Sequence, residues 1–271
     1  YKDAFADFTN HLSDITGKKV MYYTVHSNAA EVEAIRSGRL HIAGFSTGPT
    51  GYAVNLGGYV PIAVKGTVDG FQCYNLITIV RKDSPIQSMS DLKGKLVAHT
   101  SASSNSGNLA PRALFPQIGI TPDEDYTVKY SGKHDQSIMG VLSRDYDAAP
   151  VASDVFHRMA NAGRINADDF RIIFTSPRFP TSSFGYAHDL NPELVAKIKD
   201  AFNSFRFSAE MSETFGGADR FYPITYKEDW AVIRDIAHAT GTAYTKKGLK
   251  KLAEKDAAKA AKKRAKALAA Q

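Results

Sequence analysis

A short run of hydroxyl and amide side chains, residues 101–112, is the part of the sequence best suited to binding an anion. An apolar run directly before it predicts a buried strand, and a helix is predicted to follow. The first backbone N–H groups of a helix have no internal partner, and Ser104, Asn105 and Ser106 would add side-chain donors. The turn therefore predicts a cradle for a tetrahedral oxyanion, although a helix merely capped by serine would use the same residues.

Motifs for nucleotide or cofactor binding are missing from the sequence. It has neither the Gly-x-x-x-x-Gly-Lys-Ser/Thr loop of nucleotide-binding proteins nor the Gly-x-Gly-x-x-Gly loop that binds dinucleotides. Cys73 is the sole cysteine, so the chain can form neither an internal disulfide nor a cysteine-based zinc site. We therefore expect no cofactor and no metal.

Strand and helix patterns alternate along the chain in two blocks. In the first block we predict helices at residues 2–16 and 28–37, strands at residues 20–25, 40–45, 59–64 and 74–80, and a turn at residues 46–52. In the second we predict strands at residues 95–99, 126–130, 147–151 and 170–175, helices at residues 109–118, 134–142 and 154–162, and a short turn or helix at residues 89–92. Two further helices are predicted at residues 192–205 and 229–238. Such alternation is typical of α/β folds with largely parallel sheets, whose ligands bind beyond the carboxyl ends of the strands.

The two blocks predict two lobes. Residues 1–80 and 183–245 would form the first lobe, and residues 81–182 an inserted second lobe, joined by two crossing strands that form a hinge beside a cleft. For residues 246–271, which are rich in Ala and Lys, we predict a basic C-terminal helix or tail in solvent. Residues 245–271 contain ten basic and two acidic residues, and subtracting this +8 from the +6 of the whole chain leaves −2. The near-neutral remainder argues against a nucleic-acid partner.

Several separated motifs together resemble the phosphonate-binding proteins of bacterial ABC importers, a family with relatives that take phosphite and hypophosphite. The resemblance rests on Asp91-Leu-Lys-Gly-Lys95, on Ser104-Asn-Ser-Gly107 followed by Pro111, on His134 and on Asp154. His134 follows Ser104 by 30 residues, and Asp154 follows His134 by 20. Residues 42–49 and 74–85 are also similar to the family, and the resemblance covers roughly residues 5–240.

The resemblance implies a two-lobed type II periplasmic-binding-protein fold, with a mainly parallel sheet flanked by helices in each lobe and a two-strand hinge. It implies a solute receptor of an ABC transporter, not an enzyme. The receptor would capture phosphonate, phosphite or hypophosphite in the cleft between the lobes and deliver it to the membrane permease. Such a protein is periplasmic, or is tethered by lipid to the outer face of the cytoplasmic membrane. A leader and a first strand would then precede residue 1.

The family's site implies eight ligand-binding residues in this chain, namely Ser104, Asn105, Ser106, His134, Asp154, Tyr74, Thr47 and Ser182. Three of them depart from the family pattern. Asn105 replaces a threonine but can still donate through its amide, and Thr47 replaces an aromatic residue. Ser182 stands where some members have a second carboxylate for an aminoalkyl group. We therefore expect a ligand with a small or neutral substituent, and a preference for a small phosphonate or a reduced phosphorus oxyanion over inorganic phosphate.

Four of these residues have a structural alternative. His134 would donate to the oxyanion as a neutral ring or an imidazolium, or it is a surface residue beside a helix cap. Asp154 would accept a proton from P–OH or ammonium, or it caps the helix at residues 155–162. Tyr74 would offer its hydroxyl or an apolar wall, or it packs in the core. Thr47 would contribute with the backbone of Gly48 and Thr50, or it belongs to an ordinary Gly-Pro turn.

Two other classes of function remain open from the residues. A hydrolase would use Ser104 or Ser106 as nucleophile, with His134 as base and an acid holding the histidine. The effector-binding half of a transcriptional regulator would share the type II fold, but it would need a DNA-binding module, for which the basic tail is the sole candidate.

Overall fold

The computed structural model describes residues 5–25, 27–102, 104–241, 244–247 and 250. Among these residues the strands are β1 (Ile42–Phe45), β2 (Tyr59–Thr67), β3 (Gly70–Phe71), β4 (Cys73–Arg81), β5 (Leu96–His99), β6 (Thr127–Tyr130), β7 (Ala148–Ala152), β8 (Phe170–Pro180), β9 (Ser183–Ala187) and β10 (Arg220–Pro223). The α-helices are α1 (Ala6–Thr16), α2 (Asn28–Arg36), α3 (Thr50–Tyr52), α4 (Ala110–Leu114), α5 (His134–Leu142), α6 (Ser153–Asn161), α7 (Pro192–Ser204), α8 (Ala209–Thr214), α9 (Tyr226–Asp229) and α10 (Ala231–Ala239). Short π-helices cover Ala53–Gly57 and Asn105–Leu109, and 3-10 helices cover Met89–Leu92, Pro116–Ile118 and Ala167–Asp169.

The described residues divide into two compact units. Of the described residues, the first unit contains those in 5–72, Pro180–Ala231, 244–247 and 250, and the second contains those in Cys73–Phe179 and 232–241. The chain thus leaves the first unit after Gln72 and returns to it at Pro180, whereas the sequence analysis placed these crossings after residues 80 and 182. The predicted tail at residues 246–271 lies outside the described residues except for Lys246, Lys247 and Lys250.

The first unit is built on an antiparallel sheet with the strand order β1-β9-β2-β10, and β3 pairs with β2. All the pairings resolved in this sheet are antiparallel. Its core is a cluster of aromatic rings, in which Phe8 of α1 and Phe202 of α7 lie 4.8 Å apart and both are within 5 Å of Phe221. Aromatic pairs in this geometry add to the stability that burial alone provides.

The second unit is built on a five-stranded sheet with the order β6-β5-β7-β4-β8. Strand β5 is parallel to both of its neighbours, and β4 is antiparallel to β7. Strand β4 is mainly apolar from Leu76 to Val80, and Leu76, Ile79 and Val80 in it are fully buried. Such a run is typical of a strand with both faces covered, and here α5 and α6 cover one face with Ile138, Val141, Phe156 and Met159.

The α/β class predicted from the sequence is confirmed by these two sheets and their helices. Two details of the prediction are wrong. The first sheet is antiparallel where a mainly parallel sheet was expected. Residues 20–25 are irregular where a strand was expected, and Met21 and Tyr23 in them are 58% and 61% exposed. A β-branched and aromatic run forms a strand only when a neighbouring strand accepts its hydrogen bonds, and no described strand pairs with this run.

Two helical segments also differ from the expectation. The predicted turn at residues 46–52 becomes helical from Thr50, because the Thr50 amide donates to the Ser46 carbonyl and a π-helix continues to Gly57. The predicted helix at residues 229–238 is divided at Trp230, where α9 ends and α10 begins. In the part of the chain that the structure describes, no helix is long and apolar enough to cross a lipid bilayer.

Candidate functional site

Four strands of the second unit bring polar residues to one edge of its sheet. Strands β5, β6 and β7 end at this edge, because β5 is parallel to both of the others. Strand β4 runs the opposite way, with Leu76 beside Ala152 at the end of β7, so its first residues lie at the same edge. The loops after β5, β6 and β7 lead into the π-helix, α5 and α6. The edge beyond the carboxyl ends of parallel strands is where α/β sheets bind ligands.

Ser104 opens the predicted cradle as the N-cap residue of the π-helix Asn105–Leu109, which continues directly into α4. Its Oγ accepts a hydrogen bond from the backbone N–H of Gly107 at 3.1 Å. Gly107 packs directly against Thr100, and a Cβ at residue 107 would overlap the Thr100 Oγ1 atom. The absence of a side chain at Gly107 therefore lets the turn fold back tightly on the end of β5.

His134 is the first residue of α5 and faces Ser104. Its Nε2 atom lies 3.4 Å from Ser104 Oγ, and its Nδ1 atom accepts the backbone N–H of Ala152 at 3.2 Å. Because Nδ1 accepts this bond, the proton of the neutral ring stands on Nε2, which points toward the cradle. Burial lowers the pKa of His134 to about 4, while the nearby Asp154 carboxylate acts in the opposite direction. This structure thus favours the neutral ring over the imidazolium form considered from the sequence, with the Nε2 proton facing the cradle.

Asn105, Ser106 and Tyr74 complete the part of the site in the second unit. The Asn105 amide nitrogen donates to the Tyr74 hydroxyl at 3.1 Å, and the Tyr74 ring packs edge-on against Phe179. Asn105 Oδ1 is buried without a hydrogen-bond partner. Ser106 is 1% exposed, and its hydroxyl has no partner among the described residues. A buried polar atom without a partner, such as Asn105 Oδ1, is uncommon in folded proteins, and as an acceptor it would be satisfied by water or by a ligand hydroxyl.

A buried hydrogen-bond network holds the loop that leads to the cradle in place. His99, the last residue of β5, is fully buried, with Nδ1 2.9 Å from Asn108 Oδ1 and Nε2 2.9 Å from the Tyr126 hydroxyl. Asn108 Oδ1 is only an acceptor, so His99 carries its proton on Nδ1 and accepts the Tyr126 hydroxyl on Nε2. Asn108 in turn donates to the Ala102 carbonyl at 2.9 Å, within the loop that leads to Ser104. Burial lowers the pKa of His99 to about 4.

Asp154 is the second residue of α6, whose N-cap is Ala152. The structural alternative that Asp154 caps this helix is therefore wrong, because the helix begins before it. The Asp154 side chain is 44% exposed, and one of its oxygens lies 3.9 Å from the Arg158 guanidinium one turn along α6. Its carboxylate is thus close to His134 and partly neutralised by Arg158.

Thr47 and Ser182 belong to the first unit, apart from the six residues above in sequence and in unit. Thr47 is buried, and its hydroxyl donates to the Pro180 carbonyl at 2.9 Å. Its own carbonyl accepts the indole N–H of Trp230 at 3.1 Å. Ser182 is half-buried in the short connection between β8 and β9. The Thr47 side chain therefore has a structural role in which its single hydroxyl proton is used.

The site does not have the geometry of a serine hydrolase. In a catalytic triad the histidine accepts the serine proton on one nitrogen, and an acid accepts the proton of the other nitrogen. Here His134 presents a protonated Nε2 to Ser104, and its Nδ1 accepts a backbone N–H. Within the described residues no three His, Cys, Asp or Glu side chains are grouped to hold a metal ion.

Gly44-Phe-Ser-Thr-Gly48 matches the Gly-x-Ser-x-Gly pattern of a hydrolase nucleophile elbow, which the sequence analysis overlooked. The elbow serine sits on a strained turn between a strand and a helix. In the described part of the chain, positive φ outside glycine occurs at Asp123 and Arg144 but not at Ser46. No histidine is hydrogen-bonded to Ser46 among the described residues, so this segment does not form an elbow with an adjacent base.

Sequence reasoning did not identify the residues that surround the cradle. His99 and Asn108 read as strand and helix residues, and their polar contact depends on a packing that only the folded loop provides. Lys133, Arg158 and Arg164 line a cavity of about 640 Å³ that also includes Ser104 and His134. The spacing of Val155, Arg158, Met159 and Ala162 at one face of α6 was the signal that could have placed Arg158 there.

Comparison with known proteins gives one family for most of the chain. The family model of the periplasmic substrate-binding protein of phosphonate ABC transporters matches residues 1–230. The phosphonates-binding periplasmic protein of Escherichia coli is 22% identical over 209 residues, which cover 75% of this chain and 62% of that protein. The tetrathionate sensor histidine kinase of Salmonella typhimurium is 26% identical over 223 residues, covering 75% of this chain and 36% of that protein. The chain thus spans less than two thirds of both curated relatives.

A solved structure supports the fold. The PhnD1 protein from Prochlorococcus marinus, solved in complex with methylphosphonate, superposes with a TM-score of 0.73 at 19% identity, and the match covers 89% of this chain and 93% of that one. This similarity confirms the type II two-lobed fold predicted from the sequence. At this level of identity it shows the fold alone.

Proposed function

The chain belongs to the family of periplasmic substrate-binding proteins of phosphonate ABC transporters, and from this premise we propose that it binds a small phosphorus oxyanion through the Ser104 cradle. The family resemblance seen in the sequence is confirmed by the same match. Its membership of this family makes the chain a substrate-binding transport protein and not an enzyme.

The observation that carries the proposal is the convergence of donors around Ser104. Ser104 Oγ accepts the Gly107 amide and faces the protonated Nε2 of His134, so its own proton is left for a ligand. The backbone N–H groups of Asn105 and Ser106 begin a helix and lack intrahelical acceptors. These groups together are the neutral donors that an oxyanion needs, and bonds to a charged acceptor are stronger than bonds between neutral groups.

The finer identity of the ligand is part of the proposal. We propose a phosphonate, phosphite or hypophosphite, held with Tyr74 beside the P–C or P–H bond and with Asp154 accepting a P–OH proton where the bound anion carries one. Inorganic phosphate has a fourth oxygen in place of the P–C or P–H bond, and this oxygen would meet the Tyr74 ring or the Asp154 carboxylate, so phosphate should bind more weakly. Asp154→Asn should narrow this difference, because an amide can donate where a carboxylate only accepts.

The cellular role follows from the family. We propose that the protein acts in the periplasm, or tethered by lipid to the outer face of the cytoplasmic membrane, and delivers its ligand to the permease of an ABC importer. Thr47 and Ser182 of the first unit are proposed to add the contacts on that unit's side. For Thr47 these contacts would come from the neighbouring backbone, because its hydroxyl proton is used by Pro180.

The test is calorimetric titration with methylphosphonate, phosphite, hypophosphite and inorganic phosphate. Ser104→Ala and Ser106→Ala should each weaken methylphosphonate binding by about 1.5–3 kcal/mol, the value of a hydrogen bond to a charged group. Ser208→Ala is the matched control, because Ser208 Oγ caps α8 by accepting the Met211 amide at 3.2 Å, in the same way but in the first unit. Unchanged affinity in both cradle variants would contradict the proposal.

A second candidate function is the ligand-sensing module of a signalling protein, which the match to a tetrathionate sensor kinase favours. Such a module would use the same fold for a different dianion. Adding tetrathionate to the titration separates the two functions. If tetrathionate binds more tightly than every phosphorus oxyanion, and does so through Ser104, the sensing function replaces the transport function.

A further inference from the structure

We propose that the cavity beside the cradle binds a second acidic group, so that the ligands taken most tightly are phosphonates that carry a carboxylate. This inference rests on the proposed function, because it assigns the substituent of the phosphonate that the cradle would hold. It replaces the small or neutral substituent expected from the sequence.

The cavity is larger than a phosphonate group requires. Its volume is about 640 Å³, and its lining includes Ser104 and His134 of the cradle. Pockets of this size accommodate ligands much larger than methylphosphonate. A phosphonate held at Ser104 would therefore have space for a substituent in the same cavity.

The wall that would meet this substituent is formed by one face of α6. Val155, Arg158, Met159 and Ala162 follow each other at intervals of three and four residues, so they lie on one side of the helix. Val155 is partly buried and supplies apolar surface for methylene groups, and Met159 lies behind it in the core. Arg158 places a guanidinium on the same wall, one turn beyond Asp154.

The charge of the lining favours an acidic substituent. Three cationic side chains, Lys133, Arg158 and Arg164, line the cavity with one carboxylate, Asp135. The Arg158 guanidinium lies 3.9 Å from a carboxylate oxygen of Asp154. This ion pair is long, and the two side chains are 66% and 44% exposed. Within the described residues, Lys133 and Arg164 have no ion-pair partner.

An ammonium group would be disfavoured in this setting. It would meet three cations against one carboxylate in the lining, Asp135, and the nearby Asp154 carboxylate is already beside Arg158. A carboxylate would gain planar, paired hydrogen bonds from a guanidinium, which is the geometry that arginine offers to carboxylates. The cationic lining therefore selects between two substituents of similar size and opposite charge.

The experiment is calorimetric titration of the full chain with five phosphonates. Methylphosphonate reports the cradle, propylphosphonate is an uncharged substituent, and 2-aminoethylphosphonate is a cationic one. Phosphonoacetate and 3-phosphonopropionate place a carboxylate at two distances from phosphorus. We expect the better of these two to bind at least about fivefold more tightly than propylphosphonate, which corresponds to about 1 kcal/mol. We expect 2-aminoethylphosphonate to bind more weakly than propylphosphonate.

Variants assign the effect to the cavity. The double variant Arg158→Gln, Arg164→Gln should reduce the preference for the carboxylate to less than about twofold, and Lys133→Gln should reduce it in part. Lys129→Gln is the control, because it removes one positive charge from an exposed position on β6 outside the cavity lining. A preference that falls equally in Lys129→Gln would come from the overall charge of the protein and would overturn the inference.

Failure of this inference is distinguishable from failure of the proposed function. If methylphosphonate binds but neither carboxylate-bearing ligand exceeds propylphosphonate, the acidic subsite is wrong and the oxyanion cradle stands. If no phosphonate binds at all, both are overturned.

Discussion

His134 acts through a hydrogen-bonding state that the protein imposes on it. The Ala152 amide occupies Nδ1, so the proton on Nε2 faces Ser104. We predict that His134→Gln weakens methylphosphonate binding less than His134→Ala, because the glutamine amide can place a donor near the Nε2 position. Calorimetry at pH 7.5 on both variants measures the difference. His157→Gln, an exposed change on α6, serves as the control.

Equal losses in the glutamine and alanine variants would show that the ring is needed for its shape instead of its proton. A larger loss in glutamine would contradict the assigned tautomer.

His99 links stability to pH. Burial lowers its pKa from 6.5 to about 4 in the folded protein, so the unfolded chain takes up a proton more readily as the pH falls. The stabilisation is therefore complete above pH 6.5 and is lost as the pH falls toward 4. We predict a loss of about 3 kcal/mol in the free energy of unfolding from His99 between pH 7 and pH 4.

Urea unfolding between pH 4 and pH 7 tests this prediction through its slope with pH. His99→Gln should remove about half of the slope in that range, whatever its effect on stability at pH 7, because burial lowers the pKa of His134 to about 4 as well and His134 supplies the rest. His157→Gln should retain the slope of the parent protein. A parent slope that survives in His99→Gln would assign the pH dependence to other groups.

At the scale of single residues, the sequence predicted which side chains lie together better than it predicted their protonation and hydrogen bonds. The hydroxyl turn, His134 and Asp154 were selected from residue types and spacing, and the structure places Ser104 and His134 3.4 Å apart. The tautomer of His134 depends on a backbone amide 18 residues away in the sequence. The spacing of residues does not show which backbone group a folded loop brings to a histidine ring. The tautomer of His134 could therefore not be predicted from the sequence.

At the scale of elements, the tight turn after β5 depends on Gly107. A Cβ there would overlap Thr100 Oγ1 and lie 2.8 Å from Ser104 Oγ. We predict that Gly107→Ala destabilises the fold by about 1–3 kcal/mol, the usual cost of overpacking. We also predict that methylphosphonate binding is lost, because the first turn of the helix must move away from Thr100.

Thermal unfolding and calorimetry measure the two effects. The control is Gly57→Ala. Gly57 is the last residue of the π-helix Ala53–Gly57 in the first unit, and a Cβ added there would meet its nearest atom at 3.2 Å. This control should alter stability without altering ligand affinity. Normal binding by Gly107→Ala would mean that the turn has room to adjust and that the cradle tolerates the shift.

The elements that could be predicted are those whose structure depends on residues within or beside the same segment. Helix α5 has the bounds predicted from the sequence, and the predicted short turn or helix at residues 89–92 is a 3-10 helix, because the signals for both lie within the segment or directly beside it. The capping box of Ser88 and Asp91 is an example. Residues 20–25 have the composition of a strand but do not form one in the structure. The direction of β9 in the first sheet depends on its neighbours β1 and β2, which precede it by more than 100 residues.

At the scale of the whole molecule, the two-lobed fold predicts a response to ligand. Binding proteins of this fold change shape by hinged movement of lobes. We propose such a movement here and predict a smaller radius of gyration with saturating methylphosphonate than without it. Small-angle X-ray scattering measures this change. At a methylphosphonate concentration just sufficient to saturate the parent protein, Ser104→Ala should show a smaller decrease, because its affinity is lower. Identical curves for the bound and free parent protein would count against a hinge.

The hydrogen bond from Trp230 to the Thr47 carbonyl has a practical consequence. Trp230 is the sole tryptophan of the chain and is fully buried. The intrinsic fluorescence of the protein therefore comes from one indole, and that indole is bonded to the loop proposed to contribute the first unit's contacts. Ligand that alters this loop would shift the emission without any attached dye. The native protein would then serve as its own optical sensor of phosphonate in solution.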